Sequence, residues 1–138
     1  MSRILAIDYG SKRVGLAVTD EFQLIATGLT TVHSKDVIAF LKDYIKKEPV
    51  ERIVVGDARN MDNTKSDSAR FIEPFVVHLS RQFPDIPIDR MDERFTSKIA
   101  FQSMIDAGLN KKSRQNKALV DKISATLILQ SWMEANKF

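Results

Sequence analysis

Asp8 is the first candidate for chemistry in this chain. It follows the apolar run from Ile4 to Ile7 and precedes a turn at Gly10, after which a second apolar run begins at Val14. The pattern predicts a β-hairpin with a carboxylate near its tip. Such a carboxylate, held on a buried strand, could bind a metal ion on a rigid support.

A second acidic position is the pair Asp92-Glu93, at the end of an apolar segment that begins at Ile86. Side chains alternate between the two faces of a strand, so only one of this pair should face the site of Asp8. Spacing alone does not choose between them. Functional groups gather beyond strand ends in open α/β sheets, which favours a site shared with Asp8.

A third candidate, Asp121, lies on the apolar stripe of an expected helix. Ala125, Ile128 and Trp132 follow it at offsets of 4, 7 and 11 residues, close to whole turns of about 3.6 residues. An inward-facing acid is costly unless it is paired, hydrogen-bonded or metal-bound. Either Lys117 pairs with it, or it joins the other acids around a cation. Carboxylate oxygens are hard ligands and suit Mg²⁺ or Mn²⁺.

Basic residues flank these acids. The candidates for phosphate contacts are Lys12, Arg13, Arg94, Lys111, Lys112, Arg114 and Lys117. Cations that position a phosphate backbone beside metal-binding carboxylates are typical of a site that cuts nucleic acid. The net charge of +3 is mild, so the alternative is a set of solvated surface charges.

Composition excludes several classes of protein. There is no cysteine among the 138 residues, which excludes disulfides, thiolate zinc sites and a cysteine nucleophile. The length predicts one domain over 1–138. Without a secretory signal or a long apolar run, we expect a cytoplasmic protein with no membrane partner.

The elements that must position these residues follow from periodicity. Strands are predicted at 3–8, 14–19, 23–32, 52–56 and 86–91, and helices at 35–47, 68–82, 96–107 and 117–135, with Ser34 as the N-cap of the first helix. Three strands followed by alternating helices and strands predict an α/β fold, a mixed sheet with helices on its faces.

Three segments resemble the signature blocks of the YqgF/RuvX family in the ribonuclease H-like superfamily. They are IDYGSKRVGLAVTD at 7–20, DERFTS at 92–97 and VDKISA at 120–125. The resemblance implies a five-stranded mixed sheet whose first three strands are antiparallel. It also implies that Asp8, Glu93 and Asp121 form the catalytic, metal-binding triad.

A fourth block, IVVG at 53–56 with NMD at 60–62, is similar to the family but departs from it. Family members commonly carry Leu-Pro after this strand, where this chain has Asp57-Ala58. Asp57 is therefore either an auxiliary metal ligand or a solvated loop charge.

The resemblance implies a metal-dependent nuclease that matures the 5′ end of pre-16S ribosomal RNA, with a ribosome or pre-ribosomal particle as partner. The alternatives are a Holliday junction resolvase acting on branched DNA and a non-catalytic RNA-binding module. A hairpin of this kind also begins actin-like ATPases and sugar kinases, but those need two such domains. A resolvase should be a homodimer, whereas a processing nuclease can be a monomer.

Overall fold

Five strands form one mixed sheet: β1 (Arg3–Tyr9), β2 (Arg13–Thr19), β3 (Ala26–His33), β4 (Val50–Asp57) and β5 (Ile88–Asp92). Their order is β3-β2-β1-β4-β5. β1 pairs antiparallel with β2 and β2 with β3, whereas β1 pairs parallel with β4 and β4 with β5. The predicted five-stranded mixed sheet with three antiparallel strands first is confirmed.

In the part of the chain that this computed structural model describes, three helices flank the sheet: α1 (Val37–Lys47), α2 (Ala69–Gln82) and α3 (Lys117–Ala135). The structure describes residues 2–10, 12–57, 69–92 and 117–136. The helix predicted at 96–107 lies outside those ranges. Within them, none of the helices combines the length and the apolar character needed to cross a bilayer.

The two faces of the sheet carry separate cores. Leu5, Ile7 and their neighbours on β2 and β4 pack with α1 and α2. The alternate residues Ile4 and Ala6 pack with α3 on the other face. Burying each large aliphatic side chain stabilises the fold by roughly 1.5–3 kcal/mol, so the period-2 pattern of β1 fixes which side chains face which helix.

α3 comes close to the sheet because the residues beneath it are small. Ala6 and Ala17 are fully buried in its cluster, and a Cβ at Gly28 would lie 2.7 Å from Lys122 Cγ. One extra residue, Leu29, bulges from β3 here, since Leu16 pairs with Thr30 and the next residue pairs with Gly28. α3 therefore packs closely against this face of the sheet.

Several predicted boundaries were wrong. β3 begins at Ala26 rather than residue 23, because the Asp20 carboxylate binds the N–H groups of Leu24 and Ile25. Ser34 is not the N-cap of α1. Its N–H donates to the Lys12 carbonyl, and Asp36 holds the cap position without a side-chain cap bond.

The bounds of two parallel strands also differ from the prediction. β4 extends over Val50–Asp57 rather than 52–56, and β5 begins at Ile88 rather than 86. The N–H of Ile86 donates to the Phe83 carbonyl in a turn, and Pro87 has no N–H to give to a strand ladder.

Candidate functional site

Asp8 lies near the C-terminal end of the central strand, β1, on the face that α3 covers. It is the penultimate residue of β1, and alternate residues Ile4 and Ala6 belong to the α3 cluster. Asp8 is half-buried. A carboxylate in this position is held by a strand that is hydrogen-bonded on both sides.

Glycines stand beside Asp8 on both neighbouring strands. Gly15 of β2 is its direct partner. On β4, Val55 pairs with Ile7, and Gly56 is the next residue along. Both glycines are buried. Because neither carries a side chain, the space over the Asp8 carboxylate is not filled by the flanking strands.

The turn after Asp8 is tight. The Gly10 N–H donates to the Arg13 carbonyl over 2.9 Å. A Cβ at Gly10 would come within 2.7 Å of that same oxygen, so the turn requires glycine. The turn carries Lys12 and Arg13, both exposed, to the end of the sheet where Asp8 lies.

The parallel strands β1, β4 and β5 end at the same edge. Asp57, the last residue of β4, pairs in register with Asp92, the last residue of β5. This pair stands one residue beyond the row that contains Asp8 and Gly56. The backbone therefore brings three acidic positions to one edge of the sheet, as the strand order requires.

β5 alternates clearly between the two faces. Asp89 accepts a hydrogen bond from Trp132 Nε1 of α3 over 3.0 Å, and Met91 packs with the α3 cluster. Arg90 instead pairs with Glu73 of α2 at 3.2 Å. Odd-numbered residues of β5 thus share the face of Asp8.

α3 runs opposite in direction to β1. Near its C-terminal end, the Trp132 ring lies 5.9 Å from the guanidinium of Arg52, which pairs in register with Ile4 at the start of β1. Ala125 and Ile128 are fully buried against the sheet. The N-terminal part of α3, which contains Asp121 one turn before Ala125, is therefore directed toward the end of β1 that carries Asp8.

The family of the chain is decided by sequence comparison. The sequence model of the family described as "RuvX: Holliday junction resolvase" matches residues 2–135. The chain belongs to the RuvX family. Its description and the names of the relatives below all denote nucleases, so the function class of this chain is nuclease.

Relatives of this RuvX-family chain are similar along its whole length. A "Putative pre-16S rRNA nuclease" of Phocaeicola vulgatus is 59% identical over 138 residues, covering 100% of this chain and 99% of the relative. A relative of the same name from Christiangramia forsetii is 58% identical over 133 residues, covering 96% and 98%.

Solved structures share the fold at low sequence identity. RuvC of T. thermophilus, in complex with a Holliday junction substrate, has a TM-score of 0.59 at 15% identity and covers 97% of both chains. The Fowlpox virus resolvase with Holliday junction DNA has a TM-score of 0.60 at 10% identity, covering 99% of both. These likenesses confirm the ribonuclease H-like fold.

Most of the predicted site residues lie where side chains are not described. Glu93, Arg94, Lys111, Lys112 and Arg114 lie outside the described residues. Asp57, Asp121 and Lys117 are placed only as positions in β4 and α3. Among the side chains that are described, no three His, Asp or Glu groups gather as a metal site, and of the predicted ligands only Asp8 is among them.

Tyr9 does not extend the RuvX site. Its ring stacks on Phe75 of α2, with centroids 4.1 Å apart and an angle of 15° between the planes. Burial raises the pKa of its hydroxyl above the ordinary value. It packs in the core on the face opposite Asp8, so core packing explains this residue.

Proposed function

We propose that this RuvX-family nuclease hydrolyses phosphodiester bonds with a divalent metal ion held by Asp8, Glu93 and Asp121. Its substrate would be the 5′ extension of pre-16S ribosomal RNA. The observation that carries the proposal is the position of Asp8. It lies next to the last residue of the central strand on the α3 face, between two glycines that place no side chain over its carboxylate.

The alternation of β5 supports Glu93 rather than Asp92 as the second ligand. Asp89 and Met91 face α3, and position 93 is the next in that series of alternate residues. Position 92 belongs to the series of Ile88 and Arg90, which pack toward α2. Glu93 itself lies outside the described residues, so this step extends the strand pattern by one residue.

The direction of α3 supports Asp121 as the third ligand. Ala125 is buried in the α3 cluster with Ala6, and Asp121 precedes Ala125 by one turn, toward the end of β1. Pairing with Lys117 remains the competing explanation for an acid at this position. Metal titration of Asp121→Asn by calorimetry separates the two, because an ion pair would leave metal affinity unchanged when Asp121 is replaced.

The donor set fits a hard cation. Carboxylate oxygens are the ligands that Mg²⁺ and Mn²⁺ prefer. Asp57 pairs in register with Asp92 and belongs to the same alternating series as Val55, away from Asp8, so we assign it as a solvated loop charge rather than an auxiliary ligand. When bound, such an ion supplies an activated water and neutralises charge on the phosphate. The chain itself holds Asp8 in a fixed position through the paired strands on either side.

Basic residues would hold the nucleic acid backbone next to these acids. Lys12 and Arg13 are exposed on the turn after Asp8, where their charges can reach a phosphate on either side of the cleaved bond. Arg94, Lys111, Lys112, Arg114 and Lys117 would extend the same surface. Phosphate contacts of this kind are independent of sequence, so they would serve RNA and DNA alike.

The relatives' name directs the choice of substrate to pre-16S ribosomal RNA. We propose that the chain meets this RNA in a pre-ribosomal particle in the cytoplasm. The second candidate is cleavage of branched DNA, which the family description favours. A junction resolvase would act as a symmetric dimer that presents two sites, whereas a monomer is sufficient for RNA processing.

One experiment compares the two substrates directly. Purified protein is incubated with a 5′-extended 16S precursor or with a four-way DNA junction, with Mg²⁺ or Mn²⁺, while light scattering gives the solution mass. Cleavage of the precursor by a monomer supports the first candidate. Paired cuts in the junction by a dimer support the second, and cleavage of neither substrate supports the non-catalytic binding module.

A further inference from the structure

The loop between β2 and β3 presents three large apolar side chains to solvent. Phe22, Leu24 and Ile25 are 61%, 74% and 65% exposed. The loop follows Thr19, whose hydroxyl accepts a hydrogen bond from the N–H of Ile4. These three residues, which we call the apolar tip, therefore lie at the end of the sheet opposite Asp8.

The apolar tip is held in shape by Asp20. Its carboxylate accepts hydrogen bonds from the N–H groups of Leu24 at 2.7 Å, Ile25 at 2.8 Å and Phe22 at 3.2 Å. The Asp20 N–H also donates to the Ile25 carbonyl at 3.1 Å, which closes the loop. A loop fixed in this way cannot collapse to hide its apolar side chains, and a partner would not have to order it.

A groove adjoins the apolar tip. Its volume is about 1090 Å³, and the C-terminal turns of α3 line its other side. Trp132 lies half-buried in the lining. Its Nε1 donates to Asp89 at 3.0 Å, and Asp89 also pairs with Arg52 at 2.8 Å. The indole is therefore fixed in orientation beside exposed apolar side chains, as in the anchor pockets of protein interfaces.

The charges around the groove are mainly negative. Glu51, Asp89 and Glu134 line it, and in the described part of the chain Arg52 is the basic residue of the lining. Arg52 and Asp89 are paired, so their charges offset each other, and Glu51 and Glu134 leave the lining acidic on balance. Glu51 accepts a hydrogen bond from the Gln23 amide, a neutral donor that leaves its charge in place. This acidic lining contrasts with the net charge of +3 of the whole chain.

The acidic lining determines which kind of molecule can occupy the groove. A nucleic acid backbone would be repelled by the carboxylates, and a second copy docked through the same surface would bring two acidic linings together. A cationic peptide meets neither obstacle. We propose that the apolar tip and the groove form a docking site for a protein segment that carries an apolar side chain flanked by lysine or arginine.

The docking site is independent of the nuclease chemistry, and Trp132 allows it to be tested alone. The chain contains one tryptophan, so its emission reports occupancy of the groove without a label. The probes are the tryptophan-free peptides Lys-Lys-Leu-Phe-Lys-Lys and Glu-Glu-Leu-Phe-Glu-Glu, with Lys-Lys-Ser-Ser-Lys-Lys as the control that lacks an apolar anchor.

The basic apolar peptide should shift the emission of Trp132 in a saturable manner, and the acidic peptide should bind at least roughly tenfold more weakly. The serine peptide should have no effect. A double variant, Phe22→Ser with Leu24→Ser, should abolish the shift. Val77→Ser removes an apolar side chain that is 48% exposed on α2 and should leave the shift unchanged.

Three results would overturn the docking site. The first is equal binding of the basic and acidic peptides, or no saturable shift with either at millimolar concentration. The second is a wild-type dimer in light scattering that the double variant converts to a monomer, since the occupant would then be a second copy. The third is a saturable shift of Trp132 emission caused by an RNA oligonucleotide alone and lost in the double variant, since the occupant would then be nucleic acid. Circular dichroism of the double variant checks that it is folded.

Discussion

Asp8 of β1 lies directly opposite Gly15 of β2 in the antiparallel pair. Gly15 is on the α3 face, as is Ala17 two residues later. A side chain at position 15 would therefore project next to the Asp8 carboxylate, where we propose that the metal binds.

Gly15→Val should fill this space. We expect a loss of turnover of about tenfold or more, weaker metal binding, and destabilisation of about 1–3 kcal/mol from overpacking. Gly15→Ala should show a smaller loss in the same direction. Cleavage rates at several metal concentrations, together with thermal unfolding, measure both effects. Wild-type turnover in Gly15→Val would show that the space over Asp8 is not used.

Glu93 and Asp92 are neighbours with different expected roles. Glu93→Gln should remove metal-dependent cleavage, whereas Asp92→Asn should act mainly through local stability or the orientation of Arg94. Metal titration by calorimetry, with turnover measured in parallel, distinguishes them. Lost metal binding in Asp92→Asn with an unaffected Glu93→Gln would reverse the assignment.

The basic stretch should control the salt dependence of binding. Each phosphate contact made on binding releases counterions. Replacing Lys111, Lys112 and Arg114 with alanine removes such contacts, so the magnitude of the slope of log affinity against log salt should fall by roughly 2 to 3. Cleavage at saturating substrate should stay near normal. Lys42→Ala with Lys46→Ala, two exposed lysines of α1, is the matched control. The same slope in both variants would mean that the stretch is an ordinary solvated surface.

Asp20 should make stability depend on pH. Hydrogen bonds from the backbone, with that from Ile25 the largest cause, hold the pKa of its carboxyl below the ordinary value of 3.8. A lowered pKa in the folded state stabilises the protein above pH 3.8, and this contribution is lost as the pH falls from 3.8 through the lowered pKa.

Asp20→Ala should therefore lower the Tm at neutral pH, and the difference from wild type should shrink in acid. Asp20→Asn retains one acceptor oxygen and should have a smaller effect. Thermal unfolding monitored by circular dichroism between neutral pH and pH 3 measures the difference. A Tm deficit that stays constant over that range would contradict a role for the charged carboxylate.

The sheet and the main helices were predictable because their signals are local. Alternating burial in β1 and the helical spacing of Ala125 and Ile128 are both written in short windows of sequence. The start of β3 was not predictable in this way. The N–H groups of Leu24 and Ile25 donate to the Asp20 carboxylate and are not available to a strand, whereas the apolar side chains of these two residues still indicate a strand.

The candidate site was partly predictable for the same reason. The position of Asp8 near a strand end follows from its own segment, but the choice of Glu93 came from family resemblance. The alternation of β5 supports this choice, and it is known only from contacts of β5 with other elements of the fold. The groove beside Trp132 had no sequence signal. Its partners Asp89 and Arg52 are 43 and 80 residues away, and such contacts exist only once the sheet has formed.

The most direct test of the proposed metal site is cleavage of a 5′-extended 16S precursor in Mn²⁺ or Mg²⁺ by wild type, Asp8→Asn and Asp121→Asn, each checked for thermal stability. An amide keeps the shape of the side chain but removes the charge that holds the metal. Both variants should lose cleavage by about a hundredfold or more, with a Tm equal to or above wild type because carboxylate repulsion is relieved. Cleavage at the wild-type rate by either folded variant, with the same metal, would contradict the assignment.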